Sequence, residues 1–150
     1  MAWAETARAR VELRESYDDD RSWATAWMRY LVQEPLGESF VLQPVGDHTP
    51  AFQDRTRLWY EPRLAFGAAN HPTTRLAAAA VEAECRRRPG RRLLDVGTGN
   101  GVLAMIGVCS GASSALGIDI DPECVSAARH NAGINGLAGL RPSPTRHAAI

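Results

Sequence analysis

The chain has 150 residues, 45% of them apolar and 23% charged, the balance of a globular protein large enough for one domain with a real core and too short for two ordinary ones. Its formal net charge is zero, which removes any global pull toward nucleic acid or an anionic membrane. All 17 basic residues are arginine, so Schiff-base and other lysine chemistry is excluded.

The opening stretch MAWAETARARVELRE has no apolar core of the kind a secretory signal needs, and no apolar run is long enough to cross a bilayer. Val11 to Glu15 reads as a short strand. Asp18, Asp19 and Asp20 then precede a helix over 21–31, where acidic residues suit the positive end of the helix dipole. Trp23, Trp27 and Tyr30 share one face of it and read as a core-facing stripe. Residues 33–56 hold Pro35, Gly37, Pro44, Gly46 and Pro50 and read as a loop-rich connector broken by a strand at Ser39–Gln43. Arg57–Tyr60 is another strand, closed by Pro62.

From residue 66 the signals sharpen. Phe66-Gly67-Ala68-Ala69-Asn70-His71 is a loop, and Pro72 starts a helix. Leu76, Ala77, Ala80, Val81 and Cys85 form its expected apolar face, and Pro89-Gly90 ends it. Arg92–Val96 is a strand, Val102–Cys109 a helix, Ala115–Ile118 a strand ending at Asp119. Asp121-Pro122-Glu123 then opens a helix with a cap, a first-turn proline and an acid. It runs to about Asn135 and is stopped by Gly136. Strand–helix–strand–helix in this rhythm predicts a parallel sheet with right-handed crossovers.

The chemistry sits at Leu94-Asp95-Val96-Gly97-Thr98-Gly99-Asn100-Gly101, between a strand and a helix. Gly97 permits the tight turn, and Gly99 and Gly101 let the backbone approach a ligand. The helix start at Val102 offers free N–H groups to an anion. A dinucleotide fingerprint would place a third glycine where Val102 stands. The pattern is instead GxGxG preceded by Asp95. A carboxylate there would repel a pyrophosphate, but would attract the ammonium and sulfonium of S-adenosylmethionine. Asp119, at the end of the next strand, is placed to accept ribose hydroxyls, with Ile120 beside it. The plainer alternative is a glycine turn and a capping acid that merely close a helix. Methyl transfer needs mainly positioning, so no triad or metal cluster is expected. Cys85, Cys109 and Cys124 have neither metal nor disulfide spacing, and a reducing compartment, the cytoplasm, is expected.

Phe66 to Arg75, Leu94 to Ala104, Gly117 to Pro122 and Ala127 to Gly136 together resemble the ribosomal protein L-eleven methyltransferase family. The resemblance covers 11–150 and is strongest over 64–137. The glycine loop is shared by many methyltransferases; the His-Pro-Thr-Thr segment is the more family-specific part. The resemblance implies an α/β Rossmann-like methyltransferase fold with an incomplete parallel sheet and helices on both faces. Residues 1–63 would be a short α+β segment trailing from a substrate-recognition domain, and 64–150 the S-adenosylmethionine-binding front half. It implies a protein amino group, on a ribosomal protein, as methyl acceptor; the zero net charge and the lack of a bilayer-length apolar run argue, separately, against nucleic-acid and membrane partners. By its motifs, Thr74, Gly97 and Asp119 match cofactor-contacting positions. Phe66, Gly67, His71 and Thr73 are candidate lid residues, with His71 equally readable as a plain loop residue and Thr73 and Thr74 as first-turn caps.

Three departures from the family pattern stand out. Ala68-Ala69 replaces Thr-Gly, and a positive φ at Ala69 would cost about 1 kcal/mol or more. Most of the substrate-recognition domain is expected to be missing. So is a later Asn that would touch cofactor and amine. Weak or no activity is therefore expected of these residues alone, with an apolar edge on the Arg92–Val96 strand left bare unless Ser39–Gln43 or Arg57–Tyr60 covers it. Three other readings stay open: a related lysine or glutamine methyltransferase, a remnant using Arg86, Arg87, Arg88, Arg91 and Arg92 on ribosomal RNA, and a nicotinamide dehydrogenase.

Overall fold

The computed structural model describes residues 32–50, 52–61 and 71–144. The strand expected at Val11–Glu15, the helix expected over 21–31, the domain boundary at 63/64, and Phe66, Gly67, Ala68 and Ala69 lie outside the described residues.

The described residues form two three-stranded sheets. In the first, β1 (Glu34–Leu36) pairs antiparallel with β2 (Phe40–Pro44), which pairs parallel with β3 (Thr56–Tyr60). Sequence reading places β2 and β3 within a residue but misses β1, whose Pro35 reads as a breaker. Pro35 sits on an edge strand, where a missing N–H is tolerated. Gly37, with φ +61°, turns the chain from β1 into β2.

In the second sheet β4 (Arg92–Val96), β5 (Ser114–Asp119) and β6 (Leu140–Pro144) are all parallel, in that order. Among the described residues three helices accompany them: α1 (Pro72–Arg87), α2 (Val102–Cys109) and α3 (Pro122–Ile134). The expected bounds of β4 and α2 coincide with those observed, and those of β5 and α3 lie within a residue. β6 is absent from the sequence reading because Leu140-Arg141-Pro142-Ser143-Pro144 carries two prolines. It too is an edge strand, with Pro142 opposite Gly117.

The parallel α/β architecture is as expected. Among the described residues the helices lie against one face of the second sheet. Along β4 and β5, Asp95, Ala115 and Gly117 are buried, while Leu94 (57%), Val96 (71%) and Leu116 (42%) are exposed. Register pairs Leu94 with Leu116 and Val96 with Ile118, so these apolar side chains share the open face.

Val102–Cys109 is apolar all round, as suits a helix with no face to spare for water. One apolar cluster runs from Leu36, Phe40, Leu42, Leu58 and Tyr60 of the first sheet, through Ala78 of α1 and Met105 and Ile106 of α2, to Ala115 and Leu140 of the second. The helices thus form a layer between the two sheets, and both sheets draw on one core.

One correction concerns α1. Its buried positions are Ala78, Glu82 and Cys85, whereas Leu76 is 73% exposed and Ala80 is exposed. The helix is turned so that the Glu82 carboxylate, 2% exposed, accepts from the backbone N–H of Glu38 at 2.7 Å and of Ser39 at 3.4 Å. Arg86 lies 3.0 Å from its other oxygen. A pattern counted on apolar residues cannot see a helix whose inner stripe carries a carboxylate bonded to the N–H groups of a backbone turn.

Candidate functional site

The glycine loop crosses the carboxyl ends of β4 and β5, the place where open parallel sheets bind ligands. Gly97, Gly99 and Gly101 have φ values of +73°, +54° and +84°, all in the left-handed region that side chains rarely enter. The N–H groups of Gly97 and Thr98 both donate to the Ile118 carbonyl, at 2.8 and 3.0 Å, and sew the loop to the end of β5. Asp119 adds a side-chain tie: its Oδ2 accepts from Gly99 N–H at 2.9 Å and its Oδ1 from Asp121 N–H at 3.1 Å. The structure therefore brings Gly97, Gly99 and Asp119 together. Ile120 follows at once, 70% exposed.

The glycines serve different ends. A Cβ added to Gly97 would meet nothing within 4 Å, so the space above it is open. At Gly101 a Cβ would fall 3.0 Å from the Cβ of Ala128 on α3, so this position is reserved for helix packing rather than for ligand approach.

Asp95 is 9% exposed and lies beneath the loop. Its Oδ2 accepts the Thr98 hydroxyl at 2.7 Å. Burial pushes its carboxyl above the usual range; the Thr98 hydroxyl and the Ala104 N–H oppose the rise, and Asp119 adds to it. Asn100 Oδ1 accepts from Val102 N–H at 3.3 Å. Two first-turn N–H groups of α2 are thus engaged by the loop's own side chains, which narrows the anion site expected at that helix start. Thr98, Asn100 and Gly117 escape sequence reading. The one available signal is that Gly117 stands opposite Asp95 in the ladder, where Thr98 needs room to fold back.

His71 is the N-cap of α1: its Nδ1 accepts from Thr73 N–H at 3.3 Å and lies 2.6 Å from the Thr73 hydroxyl. His71 therefore caps α1, a role the sequence did not suggest for it, and Thr73 is the residue whose N–H it caps. Thr74, half-buried in the first turn, belongs to the helix that packs along α2.

In the arginine cluster, Arg86 pairs with Glu82, while Arg87 and Arg88 lie 2.6 and 3.3 Å from Glu84. Three of its five members face carboxylates, which weakens the case for an RNA surface. Among the described residues no group of three or more His, Cys, Asp or Glu could hold a metal, and no helix is long and apolar enough to cross a membrane.

The carboxylate-flanked glycine turn, the acid ending β5 and the parallel frame define a site class; comparison with known proteins narrows it. The family described as "Ribosomal protein L11 methyltransferase (PrmA)" matches residues 3–142. A ribosomal protein L11 methyltransferase of Lactobacillus acidophilus is 35% identical over 135 residues, 89% of this chain and 42% of that protein. One from Geobacter sulfurreducens is 39% identical over 118 residues, 79% of this chain and 38% of that protein. The crystal structure of a ribosomal protein L11 methylase from Lactobacillus delbrueckii superposes with a TM-score of 0.66 at 34% identity, covering 77% of this chain and 58% of that one. The chain spans about two fifths of the length of the curated relatives it matches. It belongs to the ribosomal protein L11 methyltransferase family.

Proposed function

We propose that this chain forms the methyl-donor-binding part of an S-adenosylmethionine-dependent methyltransferase that acts in the cytoplasm on amino groups of a ribosomal protein. The observation that carries the reading is the Gly97–Gly101 loop, held open-faced above Gly97 and tied at Gly99 to the Asp119 carboxylate. Asp95, Asp119 and Asp121 gather negative charge around that loop, which favours a sulfonium and an ammonium and disfavours a pyrophosphate. The bound donor supplies a methyl group on a sulfur that is already a good leaving group. The chain's own part is positioning. Asp119, at the carboxyl end of β5 beside the loop, is placed for its carboxylate to accept ribose hydroxyls. Ile120 and the space over Gly97 offer an apolar wall and a backbone floor. Thr74 presents a hydroxyl from the start of α1. Asp95 supports the loop from below and contributes field rather than direct contact.

Calorimetry with S-adenosylmethionine on the purified chain tests this reading. Saturable binding is expected, with NAD unable to compete, and Asp119→Ala should weaken it at least about tenfold, equivalent to about 1.4 kcal/mol. Displacement by NAD, or indifference to Asp119→Ala, would overturn it.

A further inference from the structure

Two asparagines one turn apart on α3 do something the proposed function does not use. The Asn135 carboxamide accepts from Trp59 N–H at 2.8 Å and donates to the Trp59 carbonyl at 2.6 Å. Asn131, four residues earlier and fully buried, accepts from Glu61 N–H at 2.9 Å. The two side chains thus continue the free edge of β3 as a neighbouring strand would. Asn131 differs from Asn135 in its other contact. Its Nδ2 donates to the Asn100 carbonyl of the glycine loop at 3.0 Å. One buried carboxamide therefore spans the chain leaving the first sheet and the loop of the candidate donor site. Ala128, one turn before it, packs against Gly101 and fixes the same stretch of loop.

We propose that Asn131 is a positioning residue that couples the docking of β3 to the conformation of the glycine loop, so that donor affinity depends on the first sheet being in place. The carboxamide is suited to this because it donates and accepts at once, along a fixed plane. Fully buried, it has no bulk water to substitute for a lost partner. Asn135 shares the tie to β3 but turns its remaining Nδ2 contacts to the Met105 sulfur of α2 and the Asn131 carbonyl of its own helix, which makes it the internal control. The inference rests on the donor-site reading only for its consequence for affinity; the coupling itself exists without ligand.

The experiment compares Asn131→Ala, Asn131→Ser and Asn135→Ala with the parent chain, each first shown by circular dichroism to fold. In the ligand-free proteins, amide exchange at Gly101 reports the loop through its N–H bond to the Thr98 carbonyl. Exchange should rise at least about tenfold in both Asn131 variants and stay within about twofold in Asn135→Ala. Calorimetry should then show S-adenosylhomocysteine binding weakened about tenfold by the Asn131 variants and less than about threefold by Asn135→Ala. Equal effects of the Asn131 and Asn135 substitutions on Gly101 exchange would reduce Asn131 to a structural tie and overturn the proposal. Should the parent chain bind no donor analogue, the proposed function falls while the exchange comparison still supports or overturns the coupling.

Discussion

The Thr98 hydroxyl donates to the buried carboxylate of Asp95 at 2.7 Å, and the space it needs is the missing side chain of Gly117. A Cβ at Gly117 would come within 2.6 Å of Thr98 Oγ1 and 3.0 Å of its Cβ. The glycine in β5 is thus as much part of the loop as the three glycines in it.

Gly117→Ala is therefore expected to destabilise the fold by about 1–3 kcal/mol, the range for overpacking a tight interior site. Thr98→Ala alone should cost about 1 kcal/mol through the lost hydrogen bond. The double variant should lose less than the two together, because removing Thr98 relieves the clash. Denaturant unfolding of all four proteins gives the coupling directly, and strict additivity would contradict the packing described.

Asp95 makes a pH prediction of unusual sign. Burial raises its carboxyl above the model-peptide value, so the folded state holds this proton more tightly than the unfolded one. Its contribution to stability is then full below the unfolded pKa and is lost as pH rises through the folded one. Asp95→Asn keeps an oxygen for Thr98 and removes the titration. Relative to the variant, the parent chain should be more stable at about pH 4 than at about pH 7, by differential scanning calorimetry. A difference in melting temperature that stays flat, or grows in the parent's favour with pH, would contradict this. The same substitution should weaken the cationic S-adenosylmethionine more than the uncharged sulfur of S-adenosylhomocysteine.

Much of this was legible from sequence for a physical reason. The second sheet's early elements are punctuated by residues whose meaning is local: Pro72 and Pro122 at helix starts, Asp121 as a cap accepting from Glu123 N–H at 2.9 Å, Gly136 with φ +66° after α3. Asp119 and the glycines were likewise readable, since a turn and a strand end fix them. What was not legible depends on partners distant in the chain. The proline-bearing strands β1 and β6 exist because each has a neighbour to pair with. Thr98, Asn100 and Asn131 act through contacts that span the loop, β5 and α3, and no spacing rule announces them. The inner face of α1 was misread because Glu82 is buried by a backbone turn 43 and 44 residues away.

Glu82 gives the third prediction. Gly37, with φ +61°, has no room for a side chain because the Glu82 carboxylate stands against it. Glu82→Ala would orphan the Glu38 N–H and leave Arg86 without its partner, at an expected cost of about 2–4 kcal/mol. Glu82→Gln keeps an acceptor for the turn and should cost less than half as much. Urea midpoints measured on both variants check the order. If alanine proves no worse than glutamine, the carboxylate is not what holds α1 to the first sheet.

The open edge of β4 gives the last. Among the described strands, β4 pairs only with β5, so neither Phe40–Pro44 nor Thr56–Tyr60 covers its other side. Leu94 and Val96 stand exposed on the same face as Leu116. An unpaired strand edge beside an apolar face invites pairing with another chain. The chain is therefore expected to self-associate as its concentration rises, by sedimentation velocity. Leu94→Lys places a charge on the open face without touching the core, and should suppress that association while changing stability by no more than about 0.5 kcal/mol. The converse control is Leu93→Lys, on the covered face where Gly107 of α2 packs against Leu93, which should unfold the chain rather than disperse it. A monomer at every concentration, or association untouched by Leu94→Lys, would show that this edge is not the adhesive surface.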